Sequence, residues 1–147
     1  MKVSIIGCGN PERGDDAAGL LVARRLRELG IEAREHSGEA LGLLEAWEGA
    51  DRVILVDAVY SGSVAGAVSV WEGGSAPVAG EPFRCSTHGL GIAEAIALGR
   101  VLDRLPPQLR IYGIEGRRFA RGAKPSPEVA AAVEAVARAI AAEVRNL

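Results

Sequence analysis

Three short segments carry the side chains with which this chain could do chemistry: Asp15-Asp16, Asp57 and Ser86-Thr87-His88. Each stands at the end of an apolar stretch or at the start of a helical one. In an open α/β sheet, ligands collect beyond the carboxyl ends of the strands, so such segments would converge on one rim. Two carboxylates and one imidazole suit a borderline divalent metal, zinc- or nickel-like, with positions left open. The same trio also suits a metal-free acid–base set, and order along the chain does not separate the two. Simpler roles compete. Helix capping accounts for one of the two adjacent aspartates, but not for both. His88 alone could cap or pack at a helix start. Asp57 is harder to dismiss, because a carboxylate closing an apolar strand is costly to bury without a partner. Cys85 forms a Cys-x-x-His with His88, an isolated pair that is weak as a metal signature. Cys8 reads as a small buried residue beside a glycine turn.

The elements that must position these residues follow from periodicity. Val3 to Cys8 is short, apolar and β-branched, and Gly7-Cys8-Gly9-Asn10-Pro11 breaks it. A helix over Ala17 to Leu29 stops at Gly30. Ile31 to His36 alternates as an edge strand does, and Glu39 to Trp47 reads as a short helix. Arg52 to Val59 is the clearest strand. Its continuous apolar run requires cover on both faces. Ala67 to Trp71 alternates, and Gly73 to Glu81 is loop. Thr87 to Leu105 reads as a helix with Leu90, Ala93, Ala97 and Val101 on one possible face, ended by Pro106-Pro107. Leu109 to Glu115 is a further strand, and Gly116 to Pro125 a basic loop. Ser126 and Pro127 open a last helix whose packed face is Val129, Val133, Val136, Ile140 and Val144. Strands and helices alternate, which predicts an α/β fold: one domain over residues 1–147, with a twisted, mostly parallel five-stranded sheet flanked by helices on both faces.

The length of 147 residues and 48% hydrophobic content suffice for one buried core. Seventeen Lys+Arg against nineteen Asp+Glu give a net charge of −2, without the basic excess of a nucleic-acid binder. One local basic cluster, Arg117, Arg118 and Arg121, stands apart from that balance. No apolar run reaches a membrane span, and the opening residues are too short a run for a secretory signal. With two cysteines and no disulfide scaffold, the expectation is a cytoplasmic protein. The G-x-G-x-x-G, P-loop and G-x-S-x-G patterns are absent, so no organic cofactor is expected.

These segments, in this order, resemble the [NiFe]-hydrogenase maturation endopeptidases. Gly7-Cys8-Gly9-Asn10 with Asp15-Asp16 and Gly19 is similar to that family's first motif, and Val56-Asp57-Ala58-Val59 with Gly62 to its second. Ser86-Thr87-His88-Gly89-Leu90 resembles the third. Ile111-Tyr112-Gly113-Ile114-Glu115 and Ser126-Pro127-Glu128-Val129 resemble the last strand and the start of the final helix. Ala17 stands where the family usually has Gly, and Tyr60 where it often has Asp. The resemblance implies an endopeptidase that removes the C-terminal extension of a hydrogenase large-subunit precursor after nickel insertion. It also implies that Asp16, Asp57 and His88 contact nickel, a metal brought by the substrate and not held permanently. Two alternatives accompany this reading. One is a non-proteolytic metal carrier or chaperone in the same assembly pathway. The other is a peptidyl-tRNA hydrolase-like enzyme, suggested by Gly9-Asn10-Pro11 but opposed by the acidic charge and by Gly14-Asp15-Asp16 where a catalytic histidine segment would lie.

Overall fold

The computed structural model describes residues 1–73 and 91–147. Loop residues 74–85, Cys85 and the third segment with His88 and Leu90 lie outside the described residues. Five strands form one sheet in the order β2-β1-β3-β5-β4. They are β1 (Val3–Cys8), β2 (Arg34–His36), β3 (Arg52–Val59), β4 (Val68–Glu72) and β5 (Gln108–Glu115). All neighbours run parallel except β4, which pairs antiparallel with β5 at one edge. The helices are α1 (Ala18–Glu28), α2 (Ala40–Ala46), α3 (Gly91–Val101, in its described part) and α4 (Pro127–Arg145). The expected fold class is the observed one.

The cover predicted for β3 is present on both sides. Ile54, Val56 and Ala58 pack with α1 and α4, and Val53, Leu55 and Val59 pack with α2 and α3. Every β3 residue from Val53 to Val59 is buried. Each fully buried Val, Leu or Ile there contributes about 1.5–3 kcal/mol relative to exposure. That is the reserve from which one buried carboxylate on this strand, Asp57, can be tolerated. In α4, Val129, Val133, Val136 and Ile140 face the sheet, as their spacing predicts.

Three expectations need correction. Asp15 and Asp16 do not cap α1. They lie inside a separate 3-10 turn, Gly14–Ala17, the N-cap position of α1 is Ala17, and the Asp15 carboxylate is bonded instead to Arg117, Arg118 and Ser126. The helix read to Leu105 gives way after Val101 to a turn in which Asp103 takes φ 55°. Its buried residues are Ile92, Ala93, Ala95, Ile96 and Gly99, so Ala93 of the expected face is buried while Val101 is 82% exposed. Small residues at Gly91, Ala93, Ala95, Ala97 and Gly99 left the phase of that helix ambiguous, and the two isoleucines set it. Ser126 occupies the N-cap position of α4, but its side chain makes no cap bond.

Glycine lets α1 lie directly on the sheet. A Cβ at Gly19 would sit 2.3 Å from both the Cys8 and the Val56 carbonyl oxygens, and one at Gly7 would sit 2.0 Å from the Gly19 oxygen. Backbone cannot give way as a flexible side chain can. No helix among the described residues is long and apolar enough to cross a membrane. Gly19→Ala is expected to cost about 3 kcal/mol or more, read as a lower urea midpoint at unchanged slope; a loss under about 1 kcal/mol would show that α1 does not need this approach.

Candidate active site

The strand order reverses between β1 and β3, since the chain leaves β1 toward β2 on one side and β3 toward β5 on the other. The crevice beyond the carboxyl ends of those two strands is the topological switch point, where open α/β sheets bind ligands. Two of the three predicted residues meet there. Asp16 follows β1 by way of a tight loop, and Asp57 lies near the carboxyl end of β3. His88 lies outside the described residues, as does Cys85.

The loop from β1 is folded back on itself. The Asn10 N–H donates to the Asp16 carbonyl at 3.2 Å, the Asp16 N–H to the Arg13 carbonyl at 3.0 Å, and the Glu12 N–H to the Asn10 Oδ1 at 2.9 Å. A Cβ at Gly9 would lie 2.0 Å from the Asp16 oxygen, so only glycine admits this turn. The Gly9 N–H donates to the carbonyl of His36 on β2 at 3.0 Å. His36 itself has a structural role: its Nδ1 accepts the Gly38 N–H at 2.9 Å, and burial holds its pKa down.

Asp15 and Asp57 are both buried, in opposite environments. Asp15 accepts the backbone N–H groups of Arg117 (2.9 Å), Arg118 (3.0 Å) and Ser126 (2.6 Å). The Ser126 hydroxyl adds bonds of 3.0 and 2.9 Å to its two carboxylate oxygens. Burial pushes the Asp15 carboxyl up, but these donors outweigh it and hold the group below the usual carboxylate range. Asp15 is therefore an anchor for the loop between β5 and α4. Among the described residues Asp57 has one such donor, the Ala58 N–H at 2.8 Å to Oδ1. Burial, then the negative charge of Asp16 nearby, push its pKa well above the ordinary value, and that one bond opposes them. Cys8, a free and buried thiol, is pushed up by burial and then by the charges of Asp57 and Asp16. It stays protonated and is no ready nucleophile.

Such a pair of carboxyl groups, close and poorly solvated, resists carrying two negative charges at once. It can hold a proton between them, accept one from water, or be discharged by a cation. Among the described residues no group of three or more His, Cys, Asp or Glu could hold a metal ion, so a metal here would need a further ligand.

Two supporting residues escaped the sequence reading. Glu115, 2% exposed at the end of β5, accepts the Ser61 N–H at 2.9 Å and the Ser61 hydroxyl at 2.6 Å, which fixes the turn after β3. Ser126 looked like a helix cap, and its real partner is 111 residues away. Nothing local marks either contact. The signal available was the doubled aspartate, of which a cap explains only one.

Comparisons with known proteins bear on the family and the fold. A model of the hydrogenase maturation protease family, HycI, matches residues 38–143. The [NiFe] hydrogenase maturation protease HybD from Thermococcus kodakarensis is 27% identical, with a TM-score of 0.75 over 98% of this chain and 99% of that one. HycI from the same organism is also 27% identical, with a TM-score of 0.70 over 95% and 90%. The hydrogenase maturating endopeptidase HybD from E. coli, 21% identical, shares the fold at a TM-score of 0.82 over 99% and 93%. No curated protein sequence matches the chain.

Two stability measurements separate the two aspartates. Asp15→Ala strands buried donors and is expected to cost about 3 kcal/mol or more. Because the folded-state pKa of Asp15 is depressed, its contribution is full above the unfolded value near about 4 and is lost as pH falls through the folded one. The acid limb of the stability curve should therefore shrink in the variant. An unchanged acid limb would remove the anchor role. The folded-state pKa of Asp57 is raised, so stability falls as pH rises from the unfolded value toward the folded one. Asp57→Asn keeps an acceptor for the Ala58 N–H and removes the charge. It should raise stability at neutral pH by about 0.5–2 kcal/mol, the range common to single stabilising substitutions, and leave acid stability unchanged. A destabilised Asn variant would contradict this assignment.

Proposed function

The chain belongs to the hydrogenase maturation protease family, and on that premise we propose that it is an endopeptidase acting on a [NiFe]-hydrogenase large-subunit precursor. It removes the C-terminal extension of that precursor after nickel insertion. The observation that carries the reading is the pairing of Asp16 and Asp57 at the switch point, with Asp57 held against ionisation by burial and by its neighbour. An incoming cation discharges such a pair, so a nickel-loaded substrate would be favoured over an empty one.

In this proposal Asp16, Asp57 and His88 take the open positions around the substrate's nickel, which fixes the precursor's C-terminal segment across the rim. Carboxylates bind metal deprotonated, so docking at Asp57 releases a proton and weakens as pH falls. Holding the scissile peptide beside a water supplies part of the rate. One of the two carboxylates, or the metal, activates that water; where the metal only anchors, Asp16 is the proposed base, taking the water's proton as the hydroxide attacks the carbonyl and passing it to the departing amine. Metal dependence thus comes with the substrate and requires no resident ion. A cytoplasmic location is part of the same proposal, supported by a free buried thiol and the absence of a spanning helix among the described residues.

The test is cleavage of purified precursor, nickel-loaded and nickel-free, followed by mass spectrometry. The expected result is loss of a C-terminal peptide from the loaded form only. Asp16→Asn should still pull down loaded precursor but cleave it at least about 100-fold more slowly, the scale of a lost general base. Normal cleavage by Asp16→Asn would remove the base assignment. Binding of loaded precursor without cleavage by the wild type would leave the carrier reading instead.

A further inference from the structure

The loop from Gly116 to Pro125 carries Arg117, Arg118, Arg121 and Lys124 and no acidic residue, in a chain whose net charge is −2. All four cations are exposed. The loop is fixed in place at both ends of its cationic run. Its Arg117 and Arg118 N–H groups bond to Asp15, the neighbour of Asp16. Its Phe119 ring meets Tyr60, three residues after Asp57, edge to face at 5.7 Å. The cationic loop is therefore held against the segments that carry Asp16 and Asp57, through the residue before the one and the turn after the other. Arg13, in the turn that leads to Asp16, extends this cationic ledge.

Little of this charge is spent inside the protein. Arg117 pairs with Glu128 at 2.8 Å, and Arg121 reaches Glu12 at only 3.7 Å with both side chains about 70% exposed, a pair worth little. Among the described residues, Arg13, Arg118 and Lys124 have no carboxylate partner. Like charges gathered on one short loop repel one another, and an anion relieves that repulsion.

We propose that this ledge docks an acidic stretch of the polypeptide substrate, alongside the segment held at the rim. The proposal rests on the peptidase reading for the identity of the polypeptide, but the ledge's preference for an acidic peptide can be measured without cleavage. A peptide fits better than a nucleic acid. Two unpaired cations on the loop, with Arg13 on a separate turn, make few phosphate contacts, and the one ring on the loop, Phe119, is already engaged by Tyr60.

Fluorescence anisotropy with a labelled Asp/Glu-rich dodecapeptide tests the ledge on the full chain. Binding should weaken about tenfold between about 0.03 M and about 0.3 M salt as screening lengths shorten. The triple variant R118Q/R121Q/K124Q should bind at least about tenfold more weakly at low salt, whereas R138Q, on the exposed side of α4, should bind as the wild type does. Equal binding by the triple variant would overturn the proposal. Tighter binding of a single-stranded oligonucleotide or of anionic lipid vesicles at the same salt would overturn the choice of partner. With the nickel-loaded precursor, the triple variant should show a raised KM that added salt no longer affects. If the wild type leaves the precursor uncut, the peptidase reading fails, and the anisotropy still decides the ledge.

Discussion

The buried carboxylate of Asp15 is the interaction on which the rim depends. It gathers donors from both ends of the loop between β5 and α4 and ties them to the turn after β1. Segments more than 100 residues apart are thereby held at one place. An anion buried this deeply is tolerable only because every donor is present together. The cooperation runs both ways: the loop has its path because the carboxylate is there, and the carboxylate stays charged because the loop is. Asp16 inherits its position as the next residue in the same tight turn, whose own N–H and C=O are also engaged. Precision at Asp16 comes from its neighbour's bonds.

Two aspartates within one small volume thus have divided tasks. Several donors favour the charge on Asp15, while Asp57 has, among the described residues, one donor and a negative neighbour. Environments that push like groups apart are how one fold separates a structural anion from a reactive one. Stability lost at Asp57 is offset by the apolar strand around it, whose residues from Val53 to Val56 are fully buried. A weaker strand could not hold such a group. The length of the apolar run in β3 and the polarity of Asp57 are parts of one arrangement.

Most of the fold was legible because its signals are local. The run of β3 has the bounds that its apolar residues predict, and β1 ends at its glycine turn. Asp16 and Asp57 were legible because they interrupt apolar patterns at strand ends. The contacts that organise them were not. Ser126 carries a cap residue's identity and sits at the cap position, yet its hydroxyl serves a carboxylate across the sheet. Glu115 looks like an ordinary polar end to a strand and is a buried acceptor for Ser61. Such pairings depend on how the elements stack, which spacing along the chain does not encode. In α3 the failure was different: small residues gave every face the same apolar weight, and packing against α2 chose among them. The Gly9-Asn10-Pro11 resemblance to peptidyl-tRNA hydrolases rested on one short segment, whereas the family match extends over residues 38–143.

The same loop that completes the Asp15 anchor also carries four cations and no acidic residue, and this is a physical economy. A cationic loop left free would move away from itself and from its neighbours by repulsion, and would present no fixed surface. Anchoring it by backbone N–H groups, and not by its side chains, leaves the guanidinium groups available to solvent. The anchor therefore fixes the ledge without neutralising it. Had Asp15 instead paired with the Arg117 or Arg118 side chains, it would have removed the charge it now displays. Backbone donors hold the loop, the aromatic contact between Phe119 and Tyr60 joins it to the turn after β3, and its cations are exposed. The charge of Asp15 is buried and satisfied by backbone donors, so the exposed cations of the loop are not spent on it.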